Sequence, residues 1–173
     1  MAKKNNFMKT YIIIFLVLAA FLIFVSLRNK KFEQTSEPVF KVNQVNLTSF
    51  TLSKGDDSVT LLKDDSLWVF QEPDTGMVDQ NKIKTLLENT LKIQRTGFIT
   101  DKPEKYSQFN VDSNAVKFEL FVSGQKVEEL LIGRSKSSWS TNYIKYPVDP
   151  KIYISQESIL NRVQEKADFW RKR

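Results

Sequence analysis

Two pairs of aspartates are the groups in this chain most suited to bind a hard cation such as Ca²⁺. They are Asp56-Asp57 and Asp64-Asp65, and Ca²⁺ prefers several carboxylate oxygens. Their spacing does not follow the twelve-residue EF-hand loop, and both pairs fall where the pattern predicts turns, which favour Asp for backbone reasons. We therefore predict no metal site. A glycosidase-like carboxylate pair has no better support, because nothing singles out two of the twenty acidic residues.

A serine cluster could supply a nucleophile. Four serines surround Lys136 in the segment GRSKSSWS: Ser135, Ser137, Ser138 and Ser140. A Ser–Lys pair is a known nucleophile and base, but this segment has neither a G-x-S-x-G nor an S-x-x-K motif. The chain has no histidine and no cysteine, so it lacks the commonest general base and any thiolate. We predict a hairpin loop here, and no catalytic residue or cofactor in the chain.

Four residues are candidates for contact with a partner: Trp139, Phe169, Trp170 and Arg171. Trp139 lies in the serine-rich loop, and an exposed Trp often anchors an interface. Packing of Trp139 against its own sheet is the alternative. Phe169 and Trp170 follow an apolar helical pattern, so core packing is their default and contact with a partner or a membrane is the sharper hypothesis.

These side chains must be positioned by a chain that begins with a long apolar run. Residues 11–27 are interrupted only by Ser26 and include thirteen Leu, Ile, Val or Phe residues. Insertion of such a run into a bilayer is favoured by about 4–8 kcal/mol. As a helix it would be about 26 Å long, close to the bilayer core of about 30 Å. We predict a transmembrane helix at 11–27 that contacts membrane lipid.

Two alternatives to a permanent anchor remain. A cleaved signal peptide would need a shorter apolar core and a small-x-small exit, and the run ends Phe24-Val25-Ser26-Leu27-Arg28 without one. A buried helix of a soluble protein is the other alternative. Three cations precede the run and three follow it, so charge barely decides the orientation.

The length of the flanking segments favours one orientation. A short polar N-terminus normally stays in the cytoplasm while the downstream domain is translocated. We predict a cytoplasmic segment at 1–10, a linker at 28–44 and an extracytoplasmic domain at 45–173, in the inner membrane of a bacterium. The absence of cysteine fits such a location.

The positive charge of the chain belongs to the flanks of the apolar run. Six of the 26 basic residues precede Phe32, which leaves 20 basic and 20 acidic residues in the rest of the chain. A domain of zero formal charge lacks the basic surface that nucleic-acid binding requires. A local basic patch between Arg162 and Arg173 is explained by a helix C-terminus and a solvated tail, with an anionic partner as the alternative.

The sequence pattern of the domain predicts an α+β fold in which antiparallel meanders are each followed by a helix. Strands are expected at 45–53, 58–63 and 67–70, with turn residues between them. Asp79 is a plausible N-cap, and apolar residues then repeat with a helical period from Ile83 to Leu91. Gly97 is expected to break this helix, a short strand is expected at 98–100, and 103–107 is expected to form one helical turn.

The second half repeats this plan. Strands are expected at 115–123, 126–132, 142–146 and 152–155, the last two joined by the turn 147–150. A final helix is expected to begin with Ser155 as N-cap and to carry Ile159, Leu160, Val163 and Ala167 on its apolar face. The similar order of elements suggests two β-rich units in duplicate.

The motif order of segment 45–173 resembles the bacterial domain of unknown function numbered 4340. The resemblance is carried by Trp68-Val69-Phe70-Gln71-Glu72-Pro73, Val78-Asp79, Leu131-Ile132-Gly133, Tyr143-Ile144-Lys145, Ile152-Tyr153-Ile154 and Phe169-Trp170-Arg171. One departure is Phe109-Asn110-Val111-Asp112-Ser113, where the family tends to have Tyr-Gly-Leu before Asp-Pro. The resemblance implies no catalytic residue, and it implies an accessory role near ABC-type transport or gliding-motility components.

The sequence therefore favours a single-pass, non-enzymatic accessory protein of the bacterial envelope that binds another envelope protein. An envelope module that binds a small ligand or a glycan is the second hypothesis. A hydrolase that uses Ser or carboxylates is the third.

Overall fold

The computed structural model describes residues 4–30, 36–135, 138 and 140–173, and within the first helix the side chains of residues 9–25. The chain divides into two compact units, residues 1–35 and residues 36–173. The first unit contains helix α1 (Lys4–Lys30). The described residues of the second unit form a nine-stranded sheet, two α-helices and two 3-10 helices, at Gln44–Asn46 and Pro103–Phe109.

Helix α1 covers the predicted apolar run and extends beyond it on both sides. Its large apolar side chains between Tyr11 and Phe24 are at least half exposed. Within the part of the chain that the structure describes, no helix combines the length and apolarity needed to cross a membrane. The helix itself is confirmed, and its crossing of a membrane stays a prediction.

The second unit is a mixed α+β fold built on one large antiparallel sheet. Its strands are β1 (Glu37–Pro38), β2 (Ser49–Lys54), β3 (Asp57–Asp64), β4 (Leu67–Phe70), β5 (Gln94–Thr100), β6 (Val116–Val122), β7 (Gln125–Arg134), β8 (Asn142–Lys145) and β9 (Ile152–Ser155). The spatial order is β1-β5-β9-β8-β7-β6-β2-β3-β4. The pairing of β2 with β6 joins the two predicted meanders into one continuous sheet.

The sheet has an inner face that carries the core and an outer face on the opposite side. Side chains alternate between the faces, so the direct partners Phe50 and Leu120 share the inner face, as do Val116 and Ile132. All four side chains are buried. Helix α2 (Gln80–Thr90) contributes its own apolar side chains to this core.

Helix α2 begins as the sequence predicts. The Asp79 side chain accepts hydrogen bonds from the amides of Asn81 at 3.1 Å and Lys82 at 3.3 Å, which satisfies two donors that a helix start leaves unpaired. Ile83, Leu86, Leu87 and Thr90 form the buried face. The helix ends at Thr90, and Gly97 lies inside β5, so the prediction that Gly97 breaks the helix is wrong. A 3-10 helix at Pro103–Phe109 replaces the single turn predicted for 103–107.

The prediction of a helix that begins at Ser155 is wrong. Among the described residues after β9, only α3 (Ala167–Trp170) is α-helical. The cause is the buried side chain of Asn142, whose Oδ1 accepts hydrogen bonds from the amides of Ile159 at 2.7 Å and Leu160 at 3.3 Å. The Ser155 Oγ accepts from the Asn142 amide at 2.8 Å, so it does not cap a helix. Ile159 is still buried, without a helical backbone.

The predicted linker also differs from the structure. Residues 36–44 belong to the compact unit, and Val39 and Phe40 are buried in the core. Strand β1 pairs with β5, and the Val39 amide donates to the Ile93 carbonyl at 2.9 Å. Two apolar residues in an otherwise polar stretch are too weak a periodic signal to reveal this packing. The part of the predicted linker at 31–35 lies outside the described residues.

Candidate functional site

A cluster of charged and phenolic side chains lies where β1 joins the sheet. The Arg95 Nε donates to Glu37 Oε2 at 3.2 Å. The guanidinium lies 4.0 Å from the centre of the Tyr153 ring and 5.4 Å from that of Tyr146. The Tyr153 hydroxyl donates to Asp149 Oδ2 at 2.8 Å. These groups pair with one another, so the cluster fastens β1 to the sheet.

The hydroxyl of Tyr146 has a structural role in the same cluster. It donates to the Val39 carbonyl at 2.7 Å. Burial raises the pKa of Tyr146 to about 12, against the opposing effect of the Arg95 cation. The hydroxyl is therefore protonated at neutral pH, where it acts as a hydrogen-bond donor and is a poor general base.

We expect Tyr146→Phe to lower the free energy of unfolding by about 1 kcal/mol at pH 8, because the Val39 carbonyl loses its donor. A pKa raised in the folded state gives stability that is complete below pH 10 and is lost as pH rises to about 12. The stability difference between wild type and variant should therefore shrink over that interval. Urea unfolding followed by circular dichroism at several pH values measures it, and a constant difference would contradict the assignment.

Glu128 is a partly buried carboxyl group that lies opposite Leu120, on the inner face of the sheet. Burial raises its pKa, while the amides of Lys41 and Val42 act in the opposite direction. The Lys41 amide donates to Glu128 Oε1 at 2.5 Å. A carboxyl with a raised pKa can serve as a general acid. The described residues that line the neighbouring cavity of about 450 Å³ include no serine, threonine or cysteine.

The serine cluster is engaged in loop hydrogen bonds where it is described. The Ser135 Oγ accepts from the Ser138 amide at 3.1 Å, and the Ser138 and Ser140 hydroxyls are 2.9 Å apart. Lys136 and Ser137 lie outside the described residues. Within those residues, no group of three or more acidic side chains could hold a metal ion.

The four sequence-predicted contact residues have different surroundings. Trp139 lies outside the described residues. Trp170 is fully buried, and the partly buried Phe169 packs against the core. Arg171 forms ion pairs with Asp168 and, at 3.7 Å, with Asp74. Core packing is therefore the role of Trp170, which exposes no surface to a partner.

An apolar strip on the outer face of the sheet is the strongest candidate for contact with a partner. It consists of Leu62, Leu67 and Val69, which are 36%, 56% and 37% exposed. Leu62 and Val69 are direct partners in the β3–β4 pairing, and Leu67 lies two positions before Val69 on the same face. Adjacent apolar side chains in contact with solvent mark interaction surfaces more often than isolated ones do.

The edge strand β4, which carries Leu67 and Val69 of this strip, is partly protected against strand addition. The Gln80 side chain accepts from the Trp68 amide at 2.9 Å and donates to the Trp68 carbonyl at 2.8 Å. These contacts occupy the outward backbone groups at the centre of β4, where an added strand would pair. A partner would therefore meet the strip through side chains.

Sequence reasoning missed this strip, although the sequence contains a signal for it. The four residues of β4 are Leu-Trp-Val-Phe, which are apolar at every position instead of alternating. A strand with such a pattern presents apolar groups to both faces of its sheet. Trp68 fills the inner face, and Leu67 and Val69 remain for the outer face.

The family-like motifs of the chain serve mainly to hold the fold together. The rings of Trp68 and Trp170 both contact Phe50, with centroid distances of 5.2 and 6.1 Å. The Asp79 amide donates to the Trp170 carbonyl at 2.8 Å. The beginning and the end of segment 45–173 therefore meet in one aromatic cluster, formed by Phe50, Trp68 and Trp170.

The departure at Asn110 has a physical explanation. Asn110 adopts a left-handed conformation with φ of 53°, which glycine adopts most easily and asparagine tolerates better than most other residues. Its side chain also donates to the Arg134 carbonyl at 3.2 Å. The chain therefore keeps the backbone geometry expected for a glycine at this position.

Comparison with known proteins finds one match, to a protein family. No curated protein and no solved structure shows a significant match to the chain. Residues 68–173 match the family model described as Domain of unknown function (DUF4340). This segment begins at Trp68, inside β4, and includes α2, α3 and strands β5 to β9. The chain therefore belongs to the DUF4340 family.

Proposed function

We propose that this protein is a single-pass, non-enzymatic accessory protein of the bacterial cell envelope, and that its α+β domain binds another envelope protein through the apolar strip. The observation that carries the proposal is the strip itself, whose three apolar side chains lie next to one another in contact with solvent on the outer face of the sheet. The cluster of charged and phenolic side chains supports the non-enzymatic part of the proposal, because Arg95, Tyr146 and Tyr153 form contacts that hold β1 in place.

The membrane anchor in this proposal rests on the sequence. The apolar run 11–27 extends two residues past the last described side chain of α1, and no helix within the described residues is sufficient to span a bilayer. Insertion of the whole run remains favourable by about 4–8 kcal/mol. With the N-terminus in the cytoplasm, the domain would lie outside the inner membrane. A partner from an ABC-type transport or gliding-motility system is the form that the family resemblance suggests.

We expect the full-length protein, purified from membranes in a mild detergent, to recover a membrane protein in stoichiometric amount. The double variant Leu67→Lys/Val69→Lys should reduce that recovery at least about tenfold, because it places two cations in an apolar contact. The change should alter the free energy of unfolding by less than about 0.5 kcal/mol, since both side chains are exposed.

Met77→Lys is the matched control, because Met77 is apolar and 74% exposed but lies outside the strip. It should leave the recovery unchanged. Equal loss with Met77→Lys, or full recovery with the double variant, would show that the strip is not the contact surface. Recovery of the protein alone from the wild type would count against an accessory role.

An envelope module that binds a small ligand or glycan remains the second candidate, because a polar cavity lies on the opposite face of the sheet from the strip.

A further inference from the structure

A polar cavity lies at the end of the sheet where β2, β6 and β7 meet the irregular segment 156–166. Its volume is about 320 Å³, at the lower end of the range of roughly 300–1,000 Å³ that small-molecule sites occupy. Val116, Ile132 and Val163 are buried side chains that contribute to its lining. They give the cavity an apolar floor beneath a polar rim.

The rim continues the buried rows of the inner face. Lys54 lies two positions after the buried Leu52 in β2. Arg134 lies two positions after the buried Ile132 in β7. Since alternate residues of a strand share a face, both cations lie on the inner face just beyond the core. The sheet therefore places two positive charges at the same side of the cavity.

The opposite wall is the segment whose helical pattern the structure overrides. Asn142 fixes the start of this segment through the amides of Ile159 and Leu160. The Gln164 carbonyl accepts from the Trp170 indole at 2.8 Å, and the Gln164 side chain donates to the Leu160 carbonyl at 2.6 Å. Sequence patterns are most often overridden at functional or strained sites, and a helix here would replace the wall that these contacts hold.

The rim chemistry selects one class of ligand. Three residues with carboxamide side chains line the cavity, Asn110, Asn114 and Gln164. Each amide nitrogen donates one hydrogen bond within the protein, and a carboxamide has a second N–H and an oxygen that can bind hydroxyl groups. Lys54 and Arg134 favour a carboxylate, while Glu165 can accept from further hydroxyls. An apolar floor suits the C–H face of a pyranose ring. The combination matches a hydroxyl-rich ring that carries a carboxylate.

An adjoining cavity gives room for a second ring. Its volume is about 330 Å³, and it shares Lys54, Asn114 and Glu165 with the first. An ion pair between Lys166 and Asp57 at 3.6 Å joins its two sides. Because Lys54 borders both cavities, it would lie near the linkage between two bound sugar units.

We propose that these two cavities form a binding site for an acidic saccharide of one or two units. The site lies on the inner side of the sheet, away from the apolar strip, and does not depend on the membrane anchor or on a protein partner. It gives a chemical class to the ligand of the second candidate function.

The probe is digalacturonate, with digalactose as its uncharged counterpart. Isothermal titration of the full chain in detergent should show saturable binding of digalacturonate, at least about tenfold tighter than that of digalactose. Lys54→Gln should weaken the binding of digalacturonate about tenfold or more. Lys63→Gln is the matched control, because Lys63 is also an exposed lysine on a strand and lines neither cavity. It should bind digalacturonate as the wild type does.

The proposal fails if digalacturonate shows no saturable binding up to about 10 mM. It fails equally if digalactose binds as well as the acid, or if Lys54→Gln and Lys63→Gln weaken binding to the same extent. An NMR titration with digalacturonate would also overturn the proposal if the chemical-shift changes were confined to residues outside the two cavities. None of these results bears on the apolar strip, whose variants are tested by partner recovery.

Discussion

Replacing Trp170 by alanine should lower the free energy of unfolding by about 3–5 kcal/mol. The side chain is fully buried, and its ring centre lies 6.1 Å from that of Phe50 and 4.9 Å from that of Phe169. Its removal leaves a large cavity and leaves the Gln164 carbonyl without its indole donor. Urea unfolding followed by far-UV circular dichroism measures the loss without depending on tryptophan fluorescence.

The variant Trp170→Phe separates the contribution of the buried ring from that of the indole hydrogen bond. It keeps most of the ring but removes the hydrogen bond to Gln164, so the expected cost is about 1–2 kcal/mol. If Trp170→Ala cost less than about 1 kcal/mol, the residue would belong to a surface instead of the core, and contact with a partner would become its better explanation.

Gly133→Ala should be nearly as severe, with a loss of about 3 kcal/mol. A Cβ at this position would lie 2.2 Å from the Phe109 carbonyl oxygen and 2.8 Å from that of Asn110. Both neighbours are backbone atoms, which cannot move without displacing the 3-10 helix from the outer face of the sheet. Phe109 also packs edge-on against Tyr143, with a centroid distance of 4.8 Å, so displacement would break this contact as well.

Gly124→Ala is the matched control for that substitution. Gly124 has a φ of +77°, but no atom lies within 4 Å of its added Cβ. It should cost only about 1 kcal/mol, from backbone strain alone. Equal losses for the two glycine variants, again measured by urea unfolding, would show that the close approach at Gly133 does not constrain the fold.

Local signals in the sequence predicted much of the fold. Strand β4 has the predicted boundaries of 67–70, because Asp64-Asp65-Ser66 and the residues after Phe70 are strong turn formers. Asp79 caps α2 as expected, and the stripe from Ile83 to Leu91 is buried. These elements are determined by neighbouring residues, which a single sequence contains.

Long-range contacts account for what the sequence did not predict. Residues 155–166 have a helical pattern, but Asn142, distant in the chain, provides the hydrogen bonds that a helix would supply. Val39 and Phe40 join a core that includes residues far along the chain, such as Phe118 and Ile144. The pairing of β2 with β6 merges the two expected units into one sheet, and no local pattern specifies that pairing.

The two candidate surfaces also differ in whether local sequence or long-range contacts determine them. The apolar strip could have been anticipated from the unbroken apolar pattern of residues 67–70. The polar cavity could not, because its rim joins Lys54, Asn114 and Glu165, which only the fold brings together. Trp170 was predicted as a candidate contact and as a core residue, and its burial supports the second role.

The most direct test of the account combines membrane extraction with surface labelling of the full-length protein. The chain has no cysteine, so Met77→Cys creates a single thiol at an exposed position of the domain. We expect the protein to remain in the membrane pellet after alkaline carbonate extraction, with residues 11–27 intact by mass spectrometry. A membrane-impermeant maleimide should label it equally in intact and in lysed spheroplasts. Release into the carbonate supernatant, or labelling only after lysis, would contradict a membrane-anchored domain outside the cytoplasm.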